Sequence, residues 1–376
     1  MTEELNYQQC TRCIMDTTDP DITFNQDGVC NHCLNYDENI AIRTIDNQQS
    51  EGLNSLVSHI KKSGNRKAYN CVIGVSGGAD STYVAWKCKE LGLRPLAVHF
   101  DNGWDSELAI KNIEKVLKKL DIDLYTYVID WEEFKDLQLS FLKASTPDSE
   151  IPTDHAITAL LLKIASQKRI KYVITGMNYR TESIMPEKWS YGHSDWKYIK
   201  SVHRKFGSIK LRSFPHYSML YLFYITTIRN IRIISILNYI DCKKEDAISI
   251  LENDLGWRNY GGKHNESIYT RFFQSYILPL KFNIDKRKAH LSNLINSGQL
   301  TKDKALAEIF KHDYTDKNLE DEKVYVIKKF GLTEEEFEGI MKLPTRYYED
   351  YPNNYRIIKS AKRYLNFLRE KGYVPK

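Results

Sequence analysis

The sequence predicts an α/β fold with a doubly wound parallel sheet, and two observations support that prediction. Short apolar runs alternate with amphipathic segments between residues 70 and 178, as in strand–helix–strand units. Each predicted strand ends in glycine or polar residues, and such ends meet at one edge of a parallel sheet, where ligands bind. We therefore expect a cysteine-containing segment with its linker at 1–45, a sheet domain at 46–216 and a helical domain at 217–376.

The individual elements follow from apolar spacing and from turn residues. The predicted strands lie at 70–75, 95–103, 123–130 and 171–178, and the predicted helices at 53–62, 80–91, 106–120, 154–169, 301–311 and 333–343. From about Tyr217 onward the chain shows no strand alternation. The apolar segment 218–240 carries Arg229 and Arg232 near its middle, which favours a buried helix over a membrane span.

Composition narrows the class of protein further. The chain has 376 residues and a mass of 44.0 kDa, enough for two or three domains. A net charge of +5 suits an anionic substrate but does not demand nucleic acid, which we do not expect as a partner. The first residues lack the basic start and apolar core of a signal peptide, so we expect a cytoplasmic protein. Seven cysteines, an odd number, argue against a disulfide framework.

Four of the cysteines form a metal-ligand pattern, C-x-x-C, sixteen residues, then C-x-x-C. Two tight turns that each present two thiolates can surround one tetrahedral Zn²⁺. Because four thiolates leave no open position, this zinc would be structural. The alternative is a set of unliganded cysteines or a redox pair. The predicted ligands are Cys10, Cys13, Cys30 and Cys33.

A second pattern follows the first predicted strand, where Ser76–Thr82 reads S-G-G-A-D-S-T. Two glycines allow backbone N–H groups to turn toward an anion, and the start of a helix favours negative charge. Asp80 suits an Mg²⁺ that bridges phosphates. The alternative is a plain strand–turn–helix with a polar N-cap. The predicted phosphate-site residues are Ser76, Gly77, Gly78, Asp80, Ser81 and Thr82.

This motif resembles that of the PP-loop ATP pyrophosphatases, which have an adenine nucleotide alpha hydrolase-like fold. The resemblance implies that the loop grips the β,γ-pyrophosphate of ATP and that ATP is cleaved between its α and β phosphates. It also implies an adenine site near His99, Phe100 and Asn102, and a ribose and α-phosphate site near Gly176 and Asn178. Met177 stands where the family often has histidine.

A third segment, Gly256–Leu306, concentrates basic residues among aromatic ones. The alternative to an anion site is a solvated basic helix face. Together with the cysteine segment and the loop, it resembles the N-acetyl sugar amidotransferases of bacterial surface-polysaccharide and lipopolysaccharide O-antigen biosynthesis. The resemblance runs from Cys10 to about Leu306. It is carried by Trp257, Tyr260–His264, Glu266–Ser267, Thr270–Gln274 and Ile284–Arg287.

That resemblance implies an ATP-dependent, AMP-forming amidotransferase that converts an acetamido group of a UDP-linked sugar into an acetamidino group. We expect Asp80 to hold Mg²⁺, with Lys263 and Arg271 stabilising phosphate charge and His264 and Glu266 handling protons or sugar hydroxyls. The expected substrate contacts are Asp154, His155, Lys281, Lys286 and Arg287. For Asp154 and His155, a helix N-cap with a neighbouring histidine is an equal alternative.

The ammonia source is expected to be another protein, because no glutaminase motif is visible in the sequence. By resemblance, the partners would be a histidine-biosynthesis-like glutaminase subunit and a cyclase-like barrel subunit. Two other functions stay open at this stage. One is a PP-loop tRNA-modifying enzyme of the thiolation type, and the other is a scaffold that senses ATP without catalysis.

Overall fold

The structure is a computed structural model that describes residues 7–44, 50–241, 243–260, 265–310 and 316–370. Within these ranges five strands form one parallel sheet in the order β3-β2-β1-β4-β5. The strands are β1 (Cys71–Gly74), β2 (Pro95–Asp101), β3 (Leu124–Val128), β4 (Tyr172–Thr175) and β5 (Arg232–Ser235). In the central register Val72 lies between Leu96 and Val173. The predicted α/β parallel sheet is confirmed.

The helices cover both faces of the sheet, as parallel sheets require. Helices α3, α4 and α10 pack on one face, and α5, α6 and α8 on the other. The helices are α1 (Asn31–Arg43), α2 (Ser50–Ser63), α3 (Ala79–Glu90), α4 (Glu107–Leu120), α5 (Trp131–Ala144), α6 (Ile151–Gln167), α7 (Tyr179–Glu182), α8 (Trp196–Phe206), α9 (Met219–Phe223), α10 (Lys244–Leu255), α11 (Ile268–Phe272), α12 (Leu278–Phe282), α13 (Lys286–Asn296), α14 (Lys302–Phe310), α15 (Asp316–Phe330), α16 (Glu334–Met341) and α17 (Tyr355–Glu370).

The prediction of a buried helix over residues 218–240 is wrong. Helix α9 continues as a π-helical turn, Tyr224–Ile228, and Asn230 then adopts a left-handed conformation with φ of 52°. The isoleucine-rich residues that follow form β5, which pairs with the open edge of β4. Because β5 lies beyond residue 216, the sheet continues past the predicted end of its domain. The other predicted boundary, at residue 45, lies outside the described residues.

The C-terminal region is helical, as predicted, and its predicted capping box is present. The Thr333 hydroxyl accepts from the Glu336 N–H at 3.2 Å, and the Glu336 carboxylate accepts from the Thr333 N–H at 2.8 Å. No helix in the described ranges combines the length and apolar character needed to cross a lipid bilayer.

The cysteine segment packs on the C-terminal helices. Ile14 lies in an apolar cluster with Leu291 and Ala305, which belong to α13 and α14. The Lys302 ammonium donates to the Cys10 carbonyl at 2.6 Å, and Lys288 pairs with the buried carboxylate of Asp16 at 2.5 Å. The first and last thirds of the chain therefore meet in one folded unit.

Candidate functional site

The loop between β1 and α3 has the backbone of an anion-binding turn. Gly77 has φ of 78°, and a side chain there would place its Cβ 2.5 Å from the Ala109 carbonyl oxygen. Gly78 is similarly crowded, because a Cβ at that position would lie 3.0 Å from both the Tyr260 hydroxyl and the Glu266 carboxylate. Glycine is therefore required at position 77 by both space and backbone conformation, whereas a side chain at position 78 would have to displace the Tyr260 and Glu266 side chains.

The serine hydroxyls of the loop are already oriented by the loop itself. The Ser81 hydroxyl lies 3.2 Å from that of Ser76, accepts from the Ser76 N–H at 3.3 Å and donates to the Gly78 carbonyl at 3.1 Å. Ser76 in turn accepts from the Gly78 N–H. Asp80 lies in the first turn of α3, and Thr82 is buried one residue beyond Ser81. The hydrogen bonds fix the loop before any ligand arrives.

Two aromatic residues from a distant part of the chain hold this loop from outside. The Trp257 indole N–H donates to the Gly77 carbonyl at 2.8 Å, and the Ala79 N–H donates to the Tyr260 hydroxyl at 3.0 Å. Burial and the neighbouring carboxylate of Glu266, to which the phenol is hydrogen-bonded, raise the pKa of Tyr260. The basic segment is thus joined to the loop by direct contacts.

The chain after this segment is pinned to the end of β2. The Ser106 N–H donates to the Glu266 carbonyl at 2.8 Å, and the Ile268 N–H donates to the Trp104 carbonyl at 2.9 Å. Tyr260 and Glu266 therefore both contact the loop region. The four residues Gly261, Gly262, Lys263 and His264 lie outside the described residues.

The three residues predicted for the adenine site lie at the same sheet edge. The His99 Nδ1–H donates to the Val75 carbonyl at 3.0 Å, and Nε2 lies 3.3 Å from the Asp105 carboxylate. Burial lowers the pKa of His99, but Asp105 outweighs burial and the net shift is upward. Phe100 is buried and stacks on Tyr127. His99 therefore ties the ends of β1 and β2 together beside the loop.

Asn102 and the end of β4 complete this edge. The Asn102 amide oxygen accepts from the Trp104 N–H at 3.1 Å and so closes the turn after β2. A Cβ on Gly176 would lie 3.3 Å from the Asp80 backbone, so β4 ends against the first turn of α3. The Asn178 side chain accepts from the Arg180 N–H and begins α7. Gly176 and Asp80 are therefore adjacent, as the predicted site requires.

The surroundings of His155 give no support to its predicted substrate role. The side chain is fully buried and stacks on Tyr217, with ring centroids 4.4 Å apart. Its Nδ1–H donates to the His193 carbonyl at 2.9 Å, and Nε2 accepts from the Tyr217 N–H at 3.2 Å. Burial lowers the pKa of His155 to about 4. Its neighbour Asp154 is exposed in the first turn of α6.

This buried ring predicts acid sensitivity of the fold. The unfolded chain takes up a proton on His155 near pH 6.5, whereas the folded chain does so only near pH 4. The free energy of unfolding should therefore fall by up to about 3 kcal/mol as the pH is lowered from 6.5 to 4. Urea denaturation across this range should show the fall, and His155→Gln should remove that part of it. An unchanged pH profile in the variant would contradict the assignment.

The surroundings of Lys281 give no support to its predicted anion contact either. Its ammonium donates to the carbonyls of Ile340, Met341 and Leu343 at 2.7–3.0 Å, so it closes the C-terminal end of α16. Burial lowers the pKa of Lys281 to about 8. All three N–H donors of this ammonium have protein acceptors.

Three further cations of the basic segment are paired within the protein. Lys286 lies 3.7 Å from the buried Asp148 carboxylate, and burial, which lowers its pKa, is outweighed by the neighbouring carboxylates. Arg287 forms a fork with Asp285, which caps α13. Arg271 pairs with Glu322 of α15. The Arg271 pair joins α11 to α15, and the Lys286 pair joins α13 to the segment before α6. None of these contacts supports the predicted anion contacts.

The four cysteine sulfurs converge on one point. All four lie within 4.8 Å of one another, and the closest pairs are 3.7–4.0 Å apart. Four thiolates about 2.3 Å from a central zinc would lie about 3.8 Å from one another. None of the six cysteines in the described ranges forms a disulfide. The donor set and spacing fit the predicted zinc.

The backbone around the cysteines supports the same interpretation. The N–H groups of Cys13 and Cys30 point at the Cys10 sulfur at 3.4 and 3.2 Å, and the Met15 N–H points at the Cys13 sulfur at 3.4 Å. Such N–H donors stabilise thiolates and orient metal ligands. Cys71 and Cys88 are buried between β1 and α3, and their mutual contact and burial raise the pKa of Cys71.

Sequence reasoning missed two carboxylates that pair with predicted site residues. Asp105 and Asp148 were not singled out, although each faces a predicted site residue, His99 or Lys286. The weak signal for Asp105 was its place just after a predicted strand end. For Asp148, which lies before α6, the sequence offered no distinguishing pattern.

Comparisons with known proteins give one match to a protein family. Residues 266–364 match the family model described as "LPS biosynthesis protein WbpG-like, C-terminal domain". The matched range contains Glu266 at the loop, and α13 and α14, which hold the cysteine segment. No curated protein matches the chain.

Two solved structures illustrate the chain's structural likenesses. One is a predicted subunit of a tRNA methyltransferase from Methanocaldococcus jannaschii, with 15% sequence identity and a TM-score of 0.29. The match covers 48% of this chain and 74% of that chain. The other is an NMN synthetase from Francisella tularensis, with 17% sequence identity and a TM-score of 0.27. The match covers 59% of this chain and 91% of that chain. At these scores neither likeness adds to the account of the site.

Proposed function

We propose that this protein is an ATP-dependent, AMP-forming N-acetyl sugar amidotransferase of surface-glycan biosynthesis. The substrate is an acetamido sugar linked to a nucleotide, with UDP as the expected carrier, and the product carries an acetamidino group. The observation that supports this most directly is the S-G-G-A-D-S-T loop at the end of β1, held by Trp257 and Tyr260. The match of residues 266–364 to a lipopolysaccharide biosynthesis domain supports the pathway class.

The reaction follows from the chemistry of an amide, whose oxygen is a poor leaving group. The acetamido oxygen attacks the α-phosphorus of ATP, the bond between the α-phosphorus and the β-bridging oxygen breaks, pyrophosphate leaves, and the amide nitrogen loses its proton. Ammonia then attacks the carbon of the O-adenylyl imidate and loses a proton. The carbon–oxygen bond breaks, and AMP departs with the former acetamido oxygen. The protein contributes mainly positioning and charge neutralisation.

The loop suits the pyrophosphate because its N–H groups lie at the start of α3. By the family resemblance no lysine need follow the glycines, because the γ-phosphoryl group is not transferred. Mg²⁺ would neutralise phosphate charge, and Asp80, adjacent to Gly176, is the residue proposed to hold it. Lys263 is proposed as the missing cation, since it lies three residues from both Tyr260 and Glu266 along the chain. His264 and Glu266 keep their proposed roles in proton handling.

The zinc is proposed to be structural, held by the four cysteines against α13 and α14. Ammonia is proposed to come from a separate glutaminase, with a barrel subunit as its conduit. The tRNA-thiolation alternative has less support, because thiolation needs accessible cysteines near the ATP site, whereas Cys71 and Cys88 are buried. Cys242 lies outside the described residues.

Tyr260 makes a contact that a phosphate would compete for. Its hydroxyl accepts from the Ala79 N–H, a donor that the bound pyrophosphate would need. A neutral hydrogen bond is worth about 0.5–1.5 kcal/mol, so Tyr260→Phe should bind MgATP about two- to tenfold more tightly. Calorimetric titration measures this, and Tyr125→Phe on the exposed edge strand is the control. Weaker binding by Tyr260→Phe would instead make the hydroxyl a nucleotide ligand.

The proposed function is tested by incubating the protein with MgATP, ammonium chloride and a panel of UDP-linked acetamido sugars. The expected result is AMP formation that depends on one sugar, with a product lighter by the difference between O and NH. With ¹⁵N-ammonium the product should gain the mass of the label. AMP release without any labelled sugar product would reject the amidotransferase.

A further inference from the structure

One surface of the protein combines exposed apolar side chains with nearby Lys and Arg side chains. It lies on α9 and the π-helical turn that follows, which pack against the sheet through the buried Ile225. The opposite side of these turns faces solvent. Leu220, Phe223 and Ile228 are 82%, 63% and 68% exposed, and Tyr224 lies between them at 44%. We call these four residues the α9 face.

The α9 face ends beside a group of cations. The Arg229 guanidinium donates to the Ser166 carbonyl at 3.0 Å, which places the end of the π-helical turn against the end of α6. Lys168 and Arg169 follow directly and are exposed. The Arg232 N–H donates to the Lys171 carbonyl at 2.8 Å, so the exposed side chain of Arg232 begins β5 at the same end of the sheet.

Further cations reach this end of the sheet from elsewhere in the chain. The Lys67 ammonium donates to the Arg169 carbonyl at 2.8 Å, and the Lys171 ammonium donates to the Arg229 carbonyl at 2.5 Å. The three chain segments that meet here are free of acidic residues. Residues 52–79, 155–181 and 196–240 contain no Asp or Glu.

A second basic strip lies on α8, which begins near the segment that leads into α9. Trp196, the first residue of α8, stacks on His216 with ring centroids 4.2 Å apart, so α8 begins beside the residues that lead into α9. The outward positions of α8 are basic and exposed. They are Lys197, Lys200 and Arg204, at helical spacing.

We propose that the α9 face docks the protein on the surface of a lipid bilayer that contains anionic headgroups. Apolar side chains flanked by Lys and Arg form the pattern of interfacial helices, in which the apolar side enters the headgroup region and the cations meet lipid phosphates. An acidic protein surface would neutralise the cations, but it would also need pockets that fit Leu220, Phe223 and Ile228. A bilayer accommodates them without such pockets. The inference does not rest on the proposed function.

The test is co-sedimentation of the full chain with vesicles. Vesicles of phosphatidylglycerol and phosphatidylethanolamine should pellet the protein, phosphatidylcholine vesicles should pellet much less, and added salt should release it. Leu220→Ser combined with Phe223→Ser should lower the partition coefficient at least about tenfold. Arg232→Glu should lower it at least about fivefold, because each cation near an anionic surface adds roughly that factor.

Leu280→Ser is the matched control, because Leu280 is 67% exposed and belongs to α12 rather than to the α9 face. It should bind vesicles as the unmodified chain does. Equal binding by the double variant and the control would overturn the proposal, as would failure of the unmodified chain to bind anionic vesicles. Light scattering tests whether the α9 face instead binds a second copy of the chain. If the unmodified chain is a dimer and the double variant is a monomer, the face serves self-association and the proposal is overturned.

Discussion

Replacing Asp80 by asparagine should lower the rate of AMP formation by about a thousandfold. The substitution keeps the shape of the side chain but removes the charge proposed to hold Mg²⁺ against the pyrophosphate. Loss of one group that stabilises transition-state charge costs on that order. The substitution should leave the Asp80 backbone in its close packing against Gly176, where an added Cβ would lie 3.3 Å from that backbone. The rate is measured as AMP released from MgATP with ammonium and the accepted sugar.

The matched control is Asp303→Asn, since Asp303 also lies in the first turn of a helix but is exposed on α14. Its AMP rate should equal that of the unmodified chain, and both variants should melt at the unmodified temperature. If Asp80→Asn forms AMP at the normal rate, the assignment of the loop as the pyrophosphate site fails.

Cys10→Ser should release the metal and destabilise the fold by several kcal/mol. The four sulfurs fit one tetrahedral zinc, and binding energy at a structural site is folding energy. The effect should spread to the C-terminal helices, because Lys302 donates to the Cys10 carbonyl and Lys288 pairs with Asp16. Metal analysis should find one zinc per unmodified chain and none in the variant. Hydrogen exchange should rise in α13 and α14.

Cys88→Ala separates loss of the metal from loss of packing. Cys88 is fully buried against Cys71 in the sheet core, so its truncation should cost about 1–2 kcal/mol and leave the zinc in place. A Cys10→Ser variant that keeps its zinc, or an unmodified chain purified with no metal and unaffected by chelators, would contradict a structural zinc site.

The sheet was largely predictable because its signals are local. Strands β1 to β4 are apolar runs bounded by turn residues, and their polar ends follow at once in sequence. Strand β5 was missed because 218–240 is one long apolar stretch, and an apolar run alone does not distinguish a buried helix from a strand. What makes Arg232–Ser235 a strand is the open edge of β4, a partner about sixty residues away. Only Asn230 offered a local sign of the break.

The parts of the site that depend on local backbone conformation or residue spacing were predictable from the sequence. The parts that depend on side-chain contacts between distant segments were not. The glycines of the loop encode its conformation directly, and the cysteine spacing encodes four converging ligands. By contrast, the hydrogen bond from Trp257 to Gly77 spans 180 residues and has no local signature. His155 and Lys281 were assigned to substrate from residue type and position. Their actual partners are the backbone of His193 and Tyr217 in one case, and the end of α16 in the other.

The central proposal is that the acetamido oxygen is adenylated and leaves with AMP. The most direct test uses a UDP-linked acetamido sugar labelled with ¹⁸O in its acetamido carbonyl, incubated with the protein, MgATP and ammonium. Mass spectrometry of the AMP should show one ¹⁸O atom per AMP formed, matched by an equal amount of unlabelled amidine. Unlabelled AMP accompanying amidine formation would contradict the adenylated imidate, and ¹⁸O in pyrophosphate or free phosphate would place the cleavage at a different phosphorus.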